Sequence, residues 1–262
     1  MKLNLENKVV LITGATGGIG KACCEEFLKE GCKVALTGRN KEKVDALVKE
    51  LGYGEDRVYS NVADVSKEDE VKAFVDGAYK HFGKIDIIVP NAGYEGNYAL
   101  LEDVTTENFN YVFGVNVLGV LYMIKYAAPY LKANGHGAVV VTSSTGALLG
   151  CAGMGVYCAS KHAVQAIVKT AAAELGPHGI HVNSVNPGAV DTGMMRRIER
   201  NTFGDTKTKE EAYEIFASSY LDKRYAEAKE VADVIMFLAS DYCSHLNAGQ
   251  IHMDGGMDVS RP

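Results

Sequence analysis

The chain has no tryptophan and only 5 prolines in 262 residues, and it carries no surplus of positive charge: 27 Lys plus Arg stand against 33 Asp plus Glu, a formal net charge of -6. That balance excludes a polybasic nucleic-acid binder. With 47% hydrophobic and 23% charged residues, the composition also excludes a disordered or fibrous chain. Apolar runs are short, Val9 to Ile12 being typical, where roughly 20 residues would be needed to cross a bilayer, so no membrane span is expected. The opening stretch MKLNLENKVVLITG lacks the apolar segment and small-residue cleavage site of a secretory leader, which points to the cytoplasm. The 6 cysteines form neither a Cys-x-x-Cys pair nor a Cys/His cluster. No metal site is expected, and the thiols read as small packing residues.

What is present is alternation. Short β-branched runs trade places with longer segments of helical period from end to end, the signature of repeated β-α-β units on a parallel sheet. Strands are predicted at Lys8–Thr13, Lys33–Thr37, Arg57–Ser60, Ile85–Val89, Ala138–Ser143, His181–Asn186 and Gln250–Met253. Helices are predicted at Ile19–Glu30, Lys41–Leu51, Lys67–Phe82, Thr106–Leu131, Val156–Leu175 and Ala228–Ala239. The fold class is α/β: a single doubly wound Rossmann domain over 1–262 with a seven-stranded parallel sheet. The one long break in the rhythm, about 191–226, carries MMRRIER and KEEAYEIFASSYL. It reads as a helical substrate lid between the sixth and seventh strands, because long insertions in compact domains are commonly functional.

After the first strand comes TGATGGIGKA, with Gly14, Gly18 and Gly20 at the strand-to-helix junction. Glycines there permit a tight turn and close backbone approach, and the free N–H groups opening the helix favour a pyrophosphate. In combination with the alternating pattern, this G-x-x-x-G-x-G loop resembles that of the short-chain dehydrogenase/reductase family. Further motifs follow in the family's order: NVADV around Asp64, NAG at Asn91 to Gly93 with Pro90 in place of a first Asn, and NPGAVDTGM from Asn186. The resemblance implies that Gly14, Thr16, Gly18, Ile19, Gly20, Asp64, Val65, Asn91, Ala92, Gly93, Pro187, Gly188, Val190 and Thr192 surround a nicotinamide dinucleotide. At the end of the second strand, Gly38 stands where an acid would hold the ribose of NAD, and Arg39 follows it. A guanidinium without a competing carboxylate suits the extra phosphate of NADP, so NADP is expected, with NAD as the alternative.

YCASK places Tyr157 and Lys161 four apart at the start of a predicted helix, on one face. A free phenol titrates near pH 10, and a neighbouring ammonium together with a bound oxidised nicotinamide would lower that value toward use as an acid or base at neutral pH. Ser144 precedes Tyr157 at the end of the fifth strand. Its neighbour Ser143 must face the other way, since successive side chains of a strand alternate. Asn116 stands among apolar residues, where an unpaired amide would cost roughly 1 to 3 kcal/mol. By resemblance, Ser144, Tyr157 and Lys161 carry out ketone–alcohol interconversion, with Tyr157 and Lys161 also touching the cofactor, and Asn116 holds a water linked to Lys161.

The segments after Ser144 and after Gly93 contain neither Arg nor Lys, so an uncharged, hydrophobic or cyclic ketone is the expected substrate. The chain looks like family members acting on cyclic ketones, hydroxysteroids or bile acids, and Arg196 and Arg197 on the lid are candidates for a distal carboxylate. A 3-oxoacyl thioester (acyl-carrier-protein) reductase is the rival reading, and a non-catalytic NADPH-binding regulator a third. The helix Val156–Leu175 is apolar over more than one face, which predicts a homo-oligomer, dimer or tetramer.

Overall fold

The computed structural model describes residues 3–257. Seven strands form one parallel sheet: β1 Val9–Thr13, β2 Lys33–Gly38, β3 Val58–Val62, β4 Ile87–Val89, β5 Gly137–Thr142, β6 Ile180–Pro187 and β7 Gln250–Met253. Their spatial order is β3-β2-β1-β4-β5-β6-β7. β1, β4 and β6 are buried along their whole length, as strands covered on both faces must be, which is why β1 and β4 read as nearly continuous apolar runs, while β6 buries the polar His181, Asn183, Ser184 and Asn186.

Helices α1 Gly18–Lys29, α2 Lys41–Leu51 and α9 Ala228–Ala239 cover one face, where Phe27, Leu36, Val231 and Ile235 lie in one buried cluster. On the other face are α3 Glu68–Phe82, α4 Thr106–Phe113, α5 Gly119–Asn134 and α6 Gly155–Leu175, packed around Phe74, Met123, Val164 and Val168. Local chemistry sets several ends. The Asn40 side chain caps α2 by accepting from the Lys43 N–H at 2.8 Å, and Gly52 and Gly83 end α2 and α3 in the left-handed region at φ 71° and 79°.

The single helix expected over Thr106–Leu131 is in fact two, joined by a widened π turn at Gly114–Leu118 that carries Asn116. Periodicity cannot distinguish that turn from the helix around it, because one extra residue per turn barely disturbs the apolar pattern. The sequence reading found no run of membrane-spanning length. Thr106–Asn134 does reach it in length, with 29 residues and an 18-residue window of mean hydropathy 1.4, but half of that window is buried in the fold and its two helices pack on α3, α6, β4 and β5.

The order reverses at β1 and β4, which neighbour each other while their following connections depart to opposite sides. That leaves a crevice at the carboxyl ends of these strands, the usual ligand position of doubly wound sheets. The insertion between β6 and β7 supplies α7 Gly193–Phe203 and α8 Lys209–Ala217. A small core of its own, including Met195, Ala217, Tyr220 and Tyr225, holds it together. Its two ends are tied by a parallel bridge between Val190 and Ala226.

Candidate active site

The glycine loop leaves β1 through Gly14, whose φ of +64° excludes most side chains. A Cβ there would also lie 2.7 Å from the Ala92 Cα. At Gly18 it would meet the Thr192 methyl at 2.5 Å, and at Gly20 the Gly14 carbonyl oxygen at 2.3 Å. The loop is thus pressed between the segments that follow β4 and β6, with the N-terminus of α1 opening onto the same crevice. Asn91 fixes this turn from the β4 side: its amide donates to the Thr13 carbonyl at 3.0 Å, while the backbone N–H groups of Asn91 and Ala92 both donate to the Thr13 hydroxyl. From the β6 side, Pro187 ends the strand, a Cβ on Gly188 would press on Tyr220, and the Thr192 hydroxyl caps α7. A cradle that three added Cβ atoms would fill, edged by helix N–H groups, fits a dinucleotide pyrophosphate. Thr16 and Ile19 lie on its rim, half-buried.

At the adenosine end, Arg39 is exposed and donates to the Tyr111 hydroxyl of α4. A side chain at Gly38 would press on Thr16 at 3.1 Å and Val44 at 3.3 Å, a steric reason for the missing acid. One carboxylate oxygen of Asp64 accepts from the backbone and hydroxyl of Ser66 at 2.9 and 2.7 Å. Val65 is buried against Gly119, so it also has a packing role.

Beyond the cradle the catalytic candidates converge. Lys161 is buried, and its ammonium donates to the Thr142 carbonyl at 3.0 Å and sits 5.7 Å from the centre of the Tyr157 ring. A Cβ on Gly146 would lie 3.2 Å from the Tyr157 ring and 3.5 Å from the Ser144 hydroxyl, so the two side chains flank this glycine, and the hydroxyl accepts from the Gly146 N–H at 3.0 Å. Ser143 turns the other way and accepts from the buried Gln165 amide at 2.9 Å. The expected lowering of the Tyr157 pKa is not what this geometry gives. Burial pushes the phenol up to about 12, against the pull of Ser144, and lowers Lys161 to about 8. In a desolvated pocket both groups favour their neutral forms, and that outweighs any gain from an ammonium beyond direct hydrogen-bonding reach.

Asn116 is fully buried, and both ends of its amide are hydrogen-bonded. The oxygen accepts from the Tyr94 N–H at 2.8 Å, and the nitrogen donates to the Tyr94 carbonyl at 3.0 Å and the Ser160 hydroxyl at 2.9 Å. The side chain braces the loop after β4 against α6. Sequence reasoning missed Ser160 and Tyr94 in this brace, since only their contact with Asn116 marks them.

Glu95 was also missed. It is 4% exposed, and together with Gly96, Tyr98, Met154, Ile198 and Asn201 it lines a narrow cleft between the loop after β4 and the lid. Arg197 of α7 takes both its carboxylate oxygens, one of them at 3.0 Å. Arg196 is occupied by Asp191 and Glu199. Neither lid arginine therefore stands ready for a distal substrate carboxylate, because acids of this chain already hold both. Met195 belongs to the lid's own core, while the Met194 methyl reaches toward Gly93. Of the six cysteines, all free, five are buried and Cys151 is exposed. Burial raises the Cys151 and Cys158 thiols rather than activating them.

Residues 14–258 match a family model described as Enoyl-(Acyl carrier protein) reductase. The chain is 35% identical to levodione reductase of Leifsonia aquatica, over 97% of this chain and 95% of that protein. The crystal structure of levodione reductase superposes with a TM-score of 0.91 over 96% of this chain and 97% of that one. Identity is 36% to the 3-oxoacyl-[acyl-carrier-protein] reductase FabG of Thermotoga maritima, over 98% of this chain and 100% of that protein. The 3-ketoacyl-(acyl-carrier-protein) reductase of Brucella melitensis, solved in complex with NADH, gives a TM-score of 0.87 at 33% identity, covering 98% of this chain and 100% of that one. The chain belongs to the short-chain dehydrogenase/reductase family, as an oxidoreductase of the ketone/alcohol class.

Proposed function

We propose that the whole chain works as one unit that interconverts an uncharged, hydrophobic or cyclic ketone, of which a hydroxysteroid skeleton is one example, and its secondary alcohol, with NADP(H) as the preferred cofactor. The observation that carries this reading is the meeting of Ser144, Tyr157 and Lys161 at the mouth of the glycine cradle. When bound, the nicotinamide supplies or accepts the hydride. Gly14, Gly18, Gly20, Asn91 and Thr192 would shape its berth, Asp64 and Val65 would flank the adenine, and Arg39 would face the 2′-phosphate. Tyr157 passes its phenolic proton to the carbonyl oxygen during reduction, and Ser144 donates to the same oxygen. Lys161, its pKa lowered by burial to about 8, is poised to give up or recover a proton near that pH and to hold hydroxyl groups close to Tyr157. Asn116 keeps the loop after β4 in register with α6, and the widened turn around it would leave a main-chain carbonyl free to accept a hydrogen bond from a water in a proton relay to Lys161. The protein's own contribution is position and electrostatics.

A 3-oxoacyl thioester reductase is the second reading, favoured by the 36% identity to a FabG protein over the full length of both chains. A panel of cyclic ketones, hydroxysteroids and acetoacetyl thioesters, followed at 340 nm with NADPH and NADH, separates the two. Tyr157→Phe is expected to abolish turnover while leaving cofactor affinity nearly unchanged. Retained turnover would remove Tyr157 as the acid. Phe109, Tyr111, Leu118 and Leu121 leave apolar surface exposed on α4 and on the helical stretch that follows it, which, with the exposed Ala166 on the outer face of α6, supports a homo-oligomer.

A further inference from the structure

The ion pair between the loop after β4 and the lid is unequally exposed at its two ends. Glu95 has 3% of its side chain exposed and Arg197 has 46%. The carboxylate is therefore the member that cannot do without its partner, whereas the guanidinium can return to water. Arg197 engages Glu95 through Nε and Nη2, one nitrogen to each oxygen, which is the fork geometry by which arginine recognises any carboxylate. The loop that carries Glu95 borders the reaction centre: two residues before Glu95, a Cβ on Gly93 would lie 3.7 Å from the Lys161 ammonium and 4.0 Å from the Met194 methyl. Glu95 is also near enough to Tyr157 for its charge to strengthen the phenol's hold on its proton.

We propose that Glu95 determines substrate specificity by occupying the carboxylate-recognition position of Arg197, so that the pocket accepts uncharged ketones and rejects ketones bearing a carboxylate at the lid end. This rests on the ketone–alcohol reading above and names the substrate class within it. An incoming carboxylate meets a buried negative charge whose counter-ion is already taken. A neutral substrate meets a pair whose charges cancel. Removing the charge of Glu95 while keeping its shape leaves Arg197 intact, half-exposed and without its acid, as a ready-made receptor for a substrate carboxylate.

The test uses the full-length protein saturated with reduced cofactor and the variants Glu95→Gln and Glu95→Gln/Arg197→Gln, with Glu95→Ala as a second way of removing the charge. Binding of cyclohexanecarboxylate and of its neutral isostere cyclohexanecarboxamide is read from the fluorescence of the bound cofactor, and thermal melting checks that each variant is folded. In the wild type the carboxamide is expected to bind better. Glu95→Gln should raise carboxylate affinity relative to carboxamide at least tenfold, and the double variant should lose that gain. An unchanged ratio in both Glu95→Gln and Glu95→Ala overturns the proposal, as does a gain that survives loss of Arg197. Turnover of 4-oxocyclohexanecarboxylate and its amide is measured alongside. If no ketone is reduced by the wild type, the ketone–alcohol reading fails, while the binding ratio still decides the role of Glu95.

Discussion

The Lys161 ammonium lies 5.7 Å from the centre of the Tyr157 ring and donates not to it but to the Thr142 carbonyl at 3.0 Å. The two side chains lie one helical turn apart, and burial drives their proton affinities in opposite directions, to about 8 for the lysine and about 12 for the tyrosine. Stability is given up here for function.

Lys161→Met should make that sacrifice measurable. The folded pKa of Lys161 lies below its ordinary value of 10.5, so between pH 8 and 10.5 the unfolded chain binds more protons than the folded one. Stability therefore rises with pH across that window, and the cost of the buried charge is fully present below pH 8. Methionine keeps the length and removes the charge. The variant is expected to be more stable than the wild type by about 1 to 3 kcal/mol at pH 7, with the difference shrinking toward pH 10, and to have lost turnover. Urea denaturation at the two pH values checks it. A variant less stable at pH 7 would mean that the Thr142 hydrogen bond outweighs desolvation.

The contact between Gly18 and Thr192 gives a second prediction, because it joins the glycine loop to the segment after β6. A Cβ at position 18 would lie 2.5 Å from the Thr192 methyl, closer than real contacts allow. Gly18→Ala should therefore push these two walls of the cradle apart and weaken cofactor binding about tenfold or more, an effect of roughly 1.4 kcal/mol. Thr192→Ser removes the methyl and keeps the hydroxyl that caps α7. The pair Gly18→Ala/Thr192→Ser should recover most of the affinity in a fluorescence titration. No recovery would show that the added Cβ acts directly on the ligand.

The strands and the sheet-covering helices were legible because their signals are local. VVLIT and KVALTG declare themselves by composition, and each helix by an apolar face of constant period. The glycine loop and the Tyr157–Lys161 spacing are likewise contained in a few consecutive residues. Glu95 was not legible, since its partner lies 102 residues away in the lid and an acid beside Tyr94 looks like any loop acid. The upward push on the Tyr157 pKa in the cofactor-free protein was not legible for a related reason. Sequence places the cation four residues off but does not reveal how dry the pocket is, and dryness decides the outcome. The π turn at Asn116 escaped notice because its cause is the brace to Tyr94 and Ser160, a tertiary contact.

That brace has a testable cost. Asn116→Ala leaves the Tyr94 N–H and carbonyl without their partner and frees Ser160 to bond only the Tyr157 carbonyl. Each stranded group costs about 1 to 3 kcal/mol where water cannot replace the bond. The variant should lose about 2 kcal/mol or more in denaturant unfolding. Its kcat should fall further than its cofactor affinity, because the loop after β4 borders the reaction centre. A wild-type kcat with reduced stability would confine Asn116 to a purely architectural role.

The proposed preference for NADP rests on Arg39, the basic side chain immediately after the second strand. Its guanidinium donates to the Tyr111 hydroxyl, so it is held by α4 rather than left to wander in solvent. A positioned guanidinium has less entropy to lose when it meets a phosphate, and its fork can take two phosphate oxygens at once. Arg39→Ala is therefore expected to raise KM for NADPH at least tenfold while changing that for NADH less than twofold, about 1.4 kcal/mol of selective interaction. Tyr111→Phe keeps the guanidinium and removes its tether, so it should fall between the wild type and Arg39→Ala for NADPH and match the wild type for NADH. Parallel changes for both cofactors in Arg39→Ala would sink the NADP assignment. Selectivity carried by Arg39 alone, with Tyr111→Phe indistinguishable from the wild type, would keep the assignment and discard the tether.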